Sequence, residues 1–188
     1  MKIFLDVGAH VGQTLAAVLP LDFDRIVCFE PAAVCWGPLK KMGDHRVTVE
    51  RFGLWKKTCE APLFNPGSMG AGLWQREGRA RKSVMCDFVR ASDWMRENVT
   101  SEDVVYMKLN CEGAECDIID DLLNSGEFSK LSFVMIDFDV RKFEDLKHRQ
   151  GQVAKRLEVY PFPRVASKAH RIGDTHAARI QHWLRLCQ

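Results

Sequence analysis

With 188 residues, 46% of them hydrophobic, the chain is long enough to bury one substantial core, and its length favours a single domain over 1–188. The net charge of +2 conceals a division: residues 147–188 hold nine Lys/Arg against two acids, and residues 1–146 hold eighteen against twenty-three. Seven cysteines form no CxxC pair and no zinc-type spacing, and no apolar run approaches the roughly 20 residues that cross a bilayer, which argues against a zinc module, a disulfide scaffold and a spanning helix. The cysteines lie in apolar runs such as Ile26-Val27-Cys28-Phe29 and are expected to be reduced and buried. Met1 and Lys2 lead straight into an apolar run without a signal-peptide pattern, so a cytoplasmic protein is expected.

In chain order, apolar runs alternate with helical patterns: strands near 2–7, 25–30, 46–53, 103–109 and 131–138, with helices near 11–19, 32–42, 91–98 and 114–124 between them. This βαβ rhythm predicts a mostly parallel sheet with helices on both faces. From 60 to 87 the rhythm breaks, and Pro62, Pro66, Gly67, Gly70, Gly72 and Gly78 mark a turn-rich insertion, a hairpin or flap. Ile118, Ile119, Leu122 and Leu123 supply the buried stripe of the helix after the fourth strand, and Gly126 is its expected C-terminal cap. A helix is expected over 144–159, stopped by Pro161-Phe162-Pro163, and the last two strands over 164–167 and 182–187, about seven in all. The basic tail, with Lys155, Arg156, Arg164, Lys168, Arg171, Arg179, His148, His170, His176 and His182, either meets an anionic partner or is a solvated surface balancing an acidic body.

Three sites converge on the carboxyl ends of the predicted strands, where open α/β sheets bind ligands. The first strand runs into Gly8-x-x-x-Gly12, a glycine turn that opens a helix and turns backbone N–H groups towards a ligand. Glu30 ends the second strand, where a carboxylate can accept both hydroxyls of a ribose. The third site is the acidic cluster after the fourth strand, within 106–115. Asp6, an acid placed before the glycines, suits a ligand carrying an amino group or cation better than a bare pyrophosphate, which favours S-adenosylmethionine over a dinucleotide. Lys108 is expected to hold an acidic neighbour or to structure its strand end, and Glu115 to stabilise the positive end of a helix dipole.

Asp-Val-Gly-Ala-His-Val-Gly at 6–12, Phe-Glu-Pro at 29–31 and Lys-Leu-Asn-Cys-Glu-Gly-Ala-Glu at 108–115 together resemble the FkbM family of S-adenosylmethionine-dependent methyltransferases. Weaker matches join them at Gly53-Leu54-Trp55, at Gly67-Ser68-Met69-Gly70-Ala71 and at Val84-x-Cys86-x-Phe88 before Ser92-Asp93-Trp94, so the resemblance spans about residues 3–140. It implies the Rossmann-like methyltransferase fold with an antiparallel last strand, and methylation of a hydroxyl on a sugar, glycan or natural product. By the same resemblance Gly8, Ala9 and Gly12 cradle the methionine portion beside His10, Asp6 faces its ammonium, Glu30 with Pro31 holds the ribose, Gly53 and Leu54 lie by the adenine, and Cys86 and Phe88 enclose that ring. The family commonly has Asp where Asn110 stands and often His where Asp139 stands, so Asn110 falls at the cofactor and both departures fall near the active centre.

Methyl transfer from a sulfonium is an in-line displacement that needs an oxygen nucleophile about 3 Å from the methyl and a group to take its proton. Glu112 is the first choice of base, Asp139 and Asp137 follow, and His10 is a further candidate that more often hydrogen-bonds its own loop. Asn110, Glu112 and Asp137 could gather around a divalent cation, yet their spacing is no recognised metal motif and none is expected. Two other classes stay open: a nucleic-acid methyltransferase, which lacks the usual Asn/Asp-Pro-Pro-Tyr/Phe strand end here, and a cofactor-fold binding module without catalysis. A nicotinamide oxidoreductase would explain Glu30 but neither Asp6 nor the Glu112 cluster.

Overall fold

The computed structural model describes residues 1–75, 82–167 and 172–187. The elements are β1 (Lys2–Val7), α1 (Gln13–Val18), β2 (Arg25–Phe29), α2 (Ala33–Lys41), β3 (Val47–Glu50), β4 (Gly53–Trp55), β5 (Cys59–Phe64), β6 (Ser83–Arg90), α3 (Ala91–Asn98), β7 (Val104–Leu109), α4 (Glu115–Ser125), β8 (Leu131–Ile136), α5 (His148–Leu157), β9 (Val165–Ser167) and α6 (His176–Leu186). Six strands form one sheet in the order β3-β2-β1-β7-β8-β9, and every neighbouring pair is parallel. The chain leaves β1 towards β2 and leaves β7 towards β8, in opposite directions across the sheet. The carboxyl ends of β1 and β7 therefore flank the switch point where such sheets open a crevice.

Helices cover both faces, which is why the central strands read as continuous apolar runs rather than alternating ones. Ile3, Leu5, Val27, Met107 and Ile136 pack on one face with Trp94, Met95, Ile118 and Leu122, while Phe4, Ile26, Tyr106 and Met135 pack on the other with Leu15, Leu39 and Trp183. Gly126 ends α4 in the left-handed conformation (φ 83°), as its position predicts.

The central strands carry one buried ion pair. Asp6 on β1 stands in register with Lys108 on β7, and the Lys108 ammonium donates to Asp6 Oδ1 at 2.9 Å and to the Gly8 carbonyl at 3.0 Å. Removing one partner of such a pair strands the other charge, so Lys108→Met is expected to cost about 3–5 kcal/mol, read as a lower urea midpoint with an unchanged slope.

Three sequence expectations are corrected. The strand expected over 46–53 breaks at Arg51-Phe52: β3 stays in the main sheet and β4 joins a second, three-stranded sheet of order β4-β6-β5. The other two strands of that small sheet, β5 and β6, pair antiparallel as the hairpin of the turn-rich insertion, whose Gly78 lies outside the described residues. The segment 182–187, expected to be a strand, is part of helix α6, because Ile180, Trp183, Leu184 and Cys187 repeat at helical spacing on its buried face and Thr175 caps it by accepting from the Ala178 N–H at 3.1 Å. Among the described residues the main sheet thus has six strands rather than about seven, and its last strand, β9, runs parallel to β8 rather than antiparallel.

Candidate functional site

A cleft of about 990 Å³, counted to its open mouth, lies over the carboxyl ends of β1, β2 and β7. One wall is the glycine turn. Gly8 has φ 80°, and a Cβ there would fall 2.1 Å from the Asn110 carbonyl oxygen, so only glycine lets β1 pass so close to β7. The N–H groups of Gly8 and Ala9 both reach the Phe29 carbonyl at 3.1 Å, that of His10 reaches Glu30 Oε2 at 2.7 Å, and that of Gly12 reaches the Ala9 carbonyl at 2.9 Å. The sequence reading turned these N–H groups towards the ligand. The structure spends them within the protein, which leaves this turn poorly suited to a pyrophosphate.

Glu30 closes the second wall. Its Oε2 accepts from His10 and its Oε1 accepts from the Ala32 N–H at 2.8 Å. Burial pushes the carboxyl upward against those two N–H groups. A carboxylate has about four acceptor positions, so the two in use leave room for a pair of ligand hydroxyls. Pro31, Gly53, Leu54, Leu63 and Phe88 continue this wall as an apolar slot, with the Phe88 ring lying against Gly53, where a Cβ would meet Cε1 at 2.6 Å.

The third wall is the loop after β7. Glu115 accepts from the N–H groups of Cys111 and Gly113 at 3.0 to 3.1 Å, and this holds Glu112 in the left-handed conformation (φ 54°). Strain of this kind persists only where neighbours enforce it. Glu112 lines the cleft, and the Lys142 ammonium donates to both of its oxygens at 3.0 and 2.9 Å and to Asp139 Oδ2 at 2.5 Å. Burial first and Asp139 second raise the Glu112 carboxyl to about 7, and burial raises Glu115 to about 7.

The segment 65–73 crosses the mouth. Phe64 bridges Gly72, His10 Nε2 bonds the Gly67 carbonyl at 3.0 Å, and Gly72 lies flat on the Glu112 backbone, where a Cβ would come within 2.8 Å of its carbonyl oxygen.

The cleft thus gathers Gly8, Ala9, His10, Glu30, Pro31, Gly53, Leu54, Phe88, Asn110 and Glu112 from the sequence candidates. Asp6, expected to face a ligand ammonium, is instead buried behind the turn and held by Lys108. Gly12 serves α1, as a Cβ there would meet Met42 at 2.6 Å, and Cys86 stands behind the slot in a cluster with Cys35 and Leu63. Asp137 and Asp139 do not line the cleft: Arg141 pairs with both, at 3.4 and 3.0 Å, and Lys142 also holds Asp139. Thr14 and His176, which the sequence reading did not place here, also line it, with Thr14 Oγ1 2.9 Å from His176 Nε2. Sequence gave no local sign of this contact, which joins α1 to the first residue of α6 across 162 positions. Among the described residues no group of three or more His, Cys, Asp or Glu side chains is placed to hold a metal ion, and no helix is long and apolar enough to cross a membrane.

No family model and no curated protein matches the chain. Among solved structures, the crystal structure of the methyltransferase FkbM from Methylobacillus flagellatus KT is similar, with a TM-score of 0.50 and 18% identity over 82% of this chain and 37% of that one. The fold is Rossmann-like, as in that methyltransferase. The chain spans little more than a third of that protein's length.

The raised acids of this Rossmann-like cleft set a pH dependence. Glu112 and Glu115 stand near 7 in the folded chain against an ordinary value of 4.5, so the folded state holds their protons more tightly than the unfolded state. Their contribution to stability is complete below the ordinary value and is lost as pH rises through about 7. The thermal midpoint by circular dichroism is expected to be higher at about pH 5 than at about pH 8, and the reverse order would contradict the burial of these two carboxyls.

Proposed function

We propose that the cleft binds S-adenosylmethionine and that the protein transfers its methyl group to a hydroxyl of a small molecule, a sugar or glycan or a natural product. The observation that carries this reading is that Glu30 after β2 and Glu112 after β7 line one cleft, from the strands on either side of the one that ends in the glycine turn. Glu30 would accept the ribose hydroxyls, the slot of Pro31, Gly53, Leu54 and Phe88 would take the adenine, and Gly8, Ala9 and His10 would border the methionine portion. These residues fit the group: an acid with spare acceptor positions, a narrow apolar slot, and a turn whose N–H groups are already spent.

When bound, the cofactor supplies an electrophilic methyl group. Glu112, with a proton affinity near neutrality, would take the proton from the acceptor hydroxyl at Oε1 or Oε2. Lys142 would hold that carboxylate in place, and the 65–73 segment would exclude water. Asp139 and Asp137, the next candidates for base, lie outside the cleft, and no step calls on a divalent cation.

Two arginines of the basic tail are already ion-paired to acids of α4. Arg149 is paired with Asp117 and Asp120, Arg156 with Asp120 and Asn124, Arg164 donates to the Leu131 carbonyl, and Arg179 donates to the Gly173 carbonyl. Lys168, His170 and Arg171 lie outside the described residues. A cytoplasmic setting fits seven cysteines that are all free.

The test is incubation with methyl-labelled S-adenosylmethionine, a panel of hydroxylated sugars and phenols, and RNA and DNA at low salt. Label on a small-molecule hydroxyl is the expected result. Label on nucleic acid alone, or cofactor binding with no label on any acceptor, would replace this reading with the nucleic-acid enzyme or the binding module.

A further inference from the structure

The loop across the cleft mouth is built to move as one piece. At its neck the Phe64 N–H donates to the Gly72 carbonyl at 2.8 Å and the Gly72 N–H returns to the Phe64 carbonyl at 3.2 Å, with Gly72 resting on the Glu112 backbone. Beyond the neck the loop satisfies itself: the Ser68 N–H reaches the Asn65 carbonyl and the Ala71 N–H the Ser68 carbonyl, each at 3.1 Å, and the Gly70 N–H reaches Ser68 Oγ at 3.2 Å. Ser68 and Met69 at the tip are exposed although both line the cleft. Among the described residues one hydrogen bond ties the tip to the facing wall, from His10 Nε2 to the Gly67 carbonyl at 3.0 Å, beside the packing of Gly67 on Val34. A single neutral hydrogen bond moves an equilibrium by about two- to tenfold, so the tip can lift while the neck holds.

His10 joins that tip to the ribose wall. A carbonyl only accepts, so Nε2 carries the proton of their bond. The same residue gives its backbone N–H to Glu30 Oε2 at 2.7 Å and holds a left-handed φ of 50°, a conformation that persists only where neighbours enforce it. The aim of the imidazole therefore depends on Glu30. Burial disfavours the Glu30 carboxylate, and ligand hydroxyls donating to it would favour it again. An ionised acceptor holds an N–H about twice as firmly as a neutral one, so ribose at Glu30 would fix the His10 backbone and with it the ring that reaches Gly67.

We propose that residues 64–72 form a lid over the cofactor, hinged at the Phe64–Gly72 bridge and latched by His10, and that His10 couples filling of the ribose position to closure of the lid. This rests on the cofactor reading above. It makes His10 a positioning residue that joins two walls, in place of the base its imidazole suggests. The coupling is reciprocal: bound cofactor favours closure by the factor by which closure raises cofactor affinity.

The test is hydrogen exchange of the full chain, read by mass spectrometry on peptides covering 65–73, with calorimetry fixing the saturating concentration of S-adenosylhomocysteine for each variant. Saturation of the unaltered protein is expected to slow exchange in the loop by about tenfold. His10→Ala is expected to lose most of that protection and to release S-adenosylhomocysteine about two- to tenfold faster in stopped flow. His10→Gln, whose amide N–H can stand where the Nε2–H stands, is expected to recover both. Alanine and glutamine meet the same left-handed backbone, so a difference between them belongs to the lost donor and not to the turn. Saturated Glu30→Gln is expected to show protection between that of the unaltered protein and that of His10→Ala. Bound S-adenosylhomocysteine with unchanged exchange over 65–73 would overturn the lid, and full protection in both His10→Ala and Glu30→Gln would overturn the latch, each leaving the cofactor reading intact. Failure of S-adenosylhomocysteine to bind folded protein would overturn both readings.

Discussion

Replacing Glu30 with alanine is expected to weaken S-adenosylhomocysteine binding by about a hundredfold or more, since two charge-assisted hydrogen bonds to a ribose are worth about 1.5–3 kcal/mol each. The same change leaves the His10 and Ala32 N–H groups without their acceptor, so the thermal midpoint should fall as well. Glu30→Gln separates the two effects. It keeps the volume and one acceptor oxygen, so the fold should be largely retained while affinity drops by about tenfold. Calorimetry well below the melting transition checks both, and undiminished affinity in Glu30→Ala would remove Glu30 from the ribose.

The second large effect is on turnover. Glu112→Gln is expected to lower methyl transfer by about 10²- to 10⁴-fold while leaving S-adenosylhomocysteine affinity within a few-fold, because a general base acts on the acceptor and not on the cofactor. Lys142 keeps its bond to Asp139 in this variant, so the local structure has an anchor. The pH profile supplies a sharper signature. Glu112 takes a proton only when ionised, so the wild-type rate should fall about tenfold per pH unit below its value near 7 and level off above it. The acid limb should vanish in Glu112→Gln. A fully active variant with the limb intact would move the base elsewhere, and neither Asp137 nor Asp139 lines the cleft to take its place.

Much of this architecture was legible because its signals are local. Apolar runs such as Ile3-Phe4-Leu5 and Ile26-Val27-Cys28-Phe29 mark buried parallel strands, and glycines at 8 and 12 mark a left-handed turn wherever they fall after such a strand. Glu30 and Glu112 follow from being acids at strand ends. The sequence missed what depends on distant partners. Asp6 reads as an exposed ligand acid until Lys108, 102 residues away, is found bonded to it. His176 reads as one more basic residue in a tail until α6 docks on α1. The run 182–187 misled because Trp183, Leu184 and Leu186 have strand-like character over a short window, and only the longer Ile180-to-Cys187 spacing reveals the helix. Part of the basic tail is balanced in the same way by distant residues: the acids of α4 that pair with Arg149 and Arg156 lie some thirty residues earlier.

The central claim is that this cleft is built for S-adenosylmethionine, and the most direct measurement is a calorimetric titration of the folded chain with S-adenosylmethionine and S-adenosylhomocysteine, alongside NADH. The account predicts micromolar binding of the first two at one site per chain and none of NADH, whose pyrophosphate finds the N–H groups of the glycine turn already spent. Binding of NADH in their place, or of no ligand at all by folded protein, would contradict it.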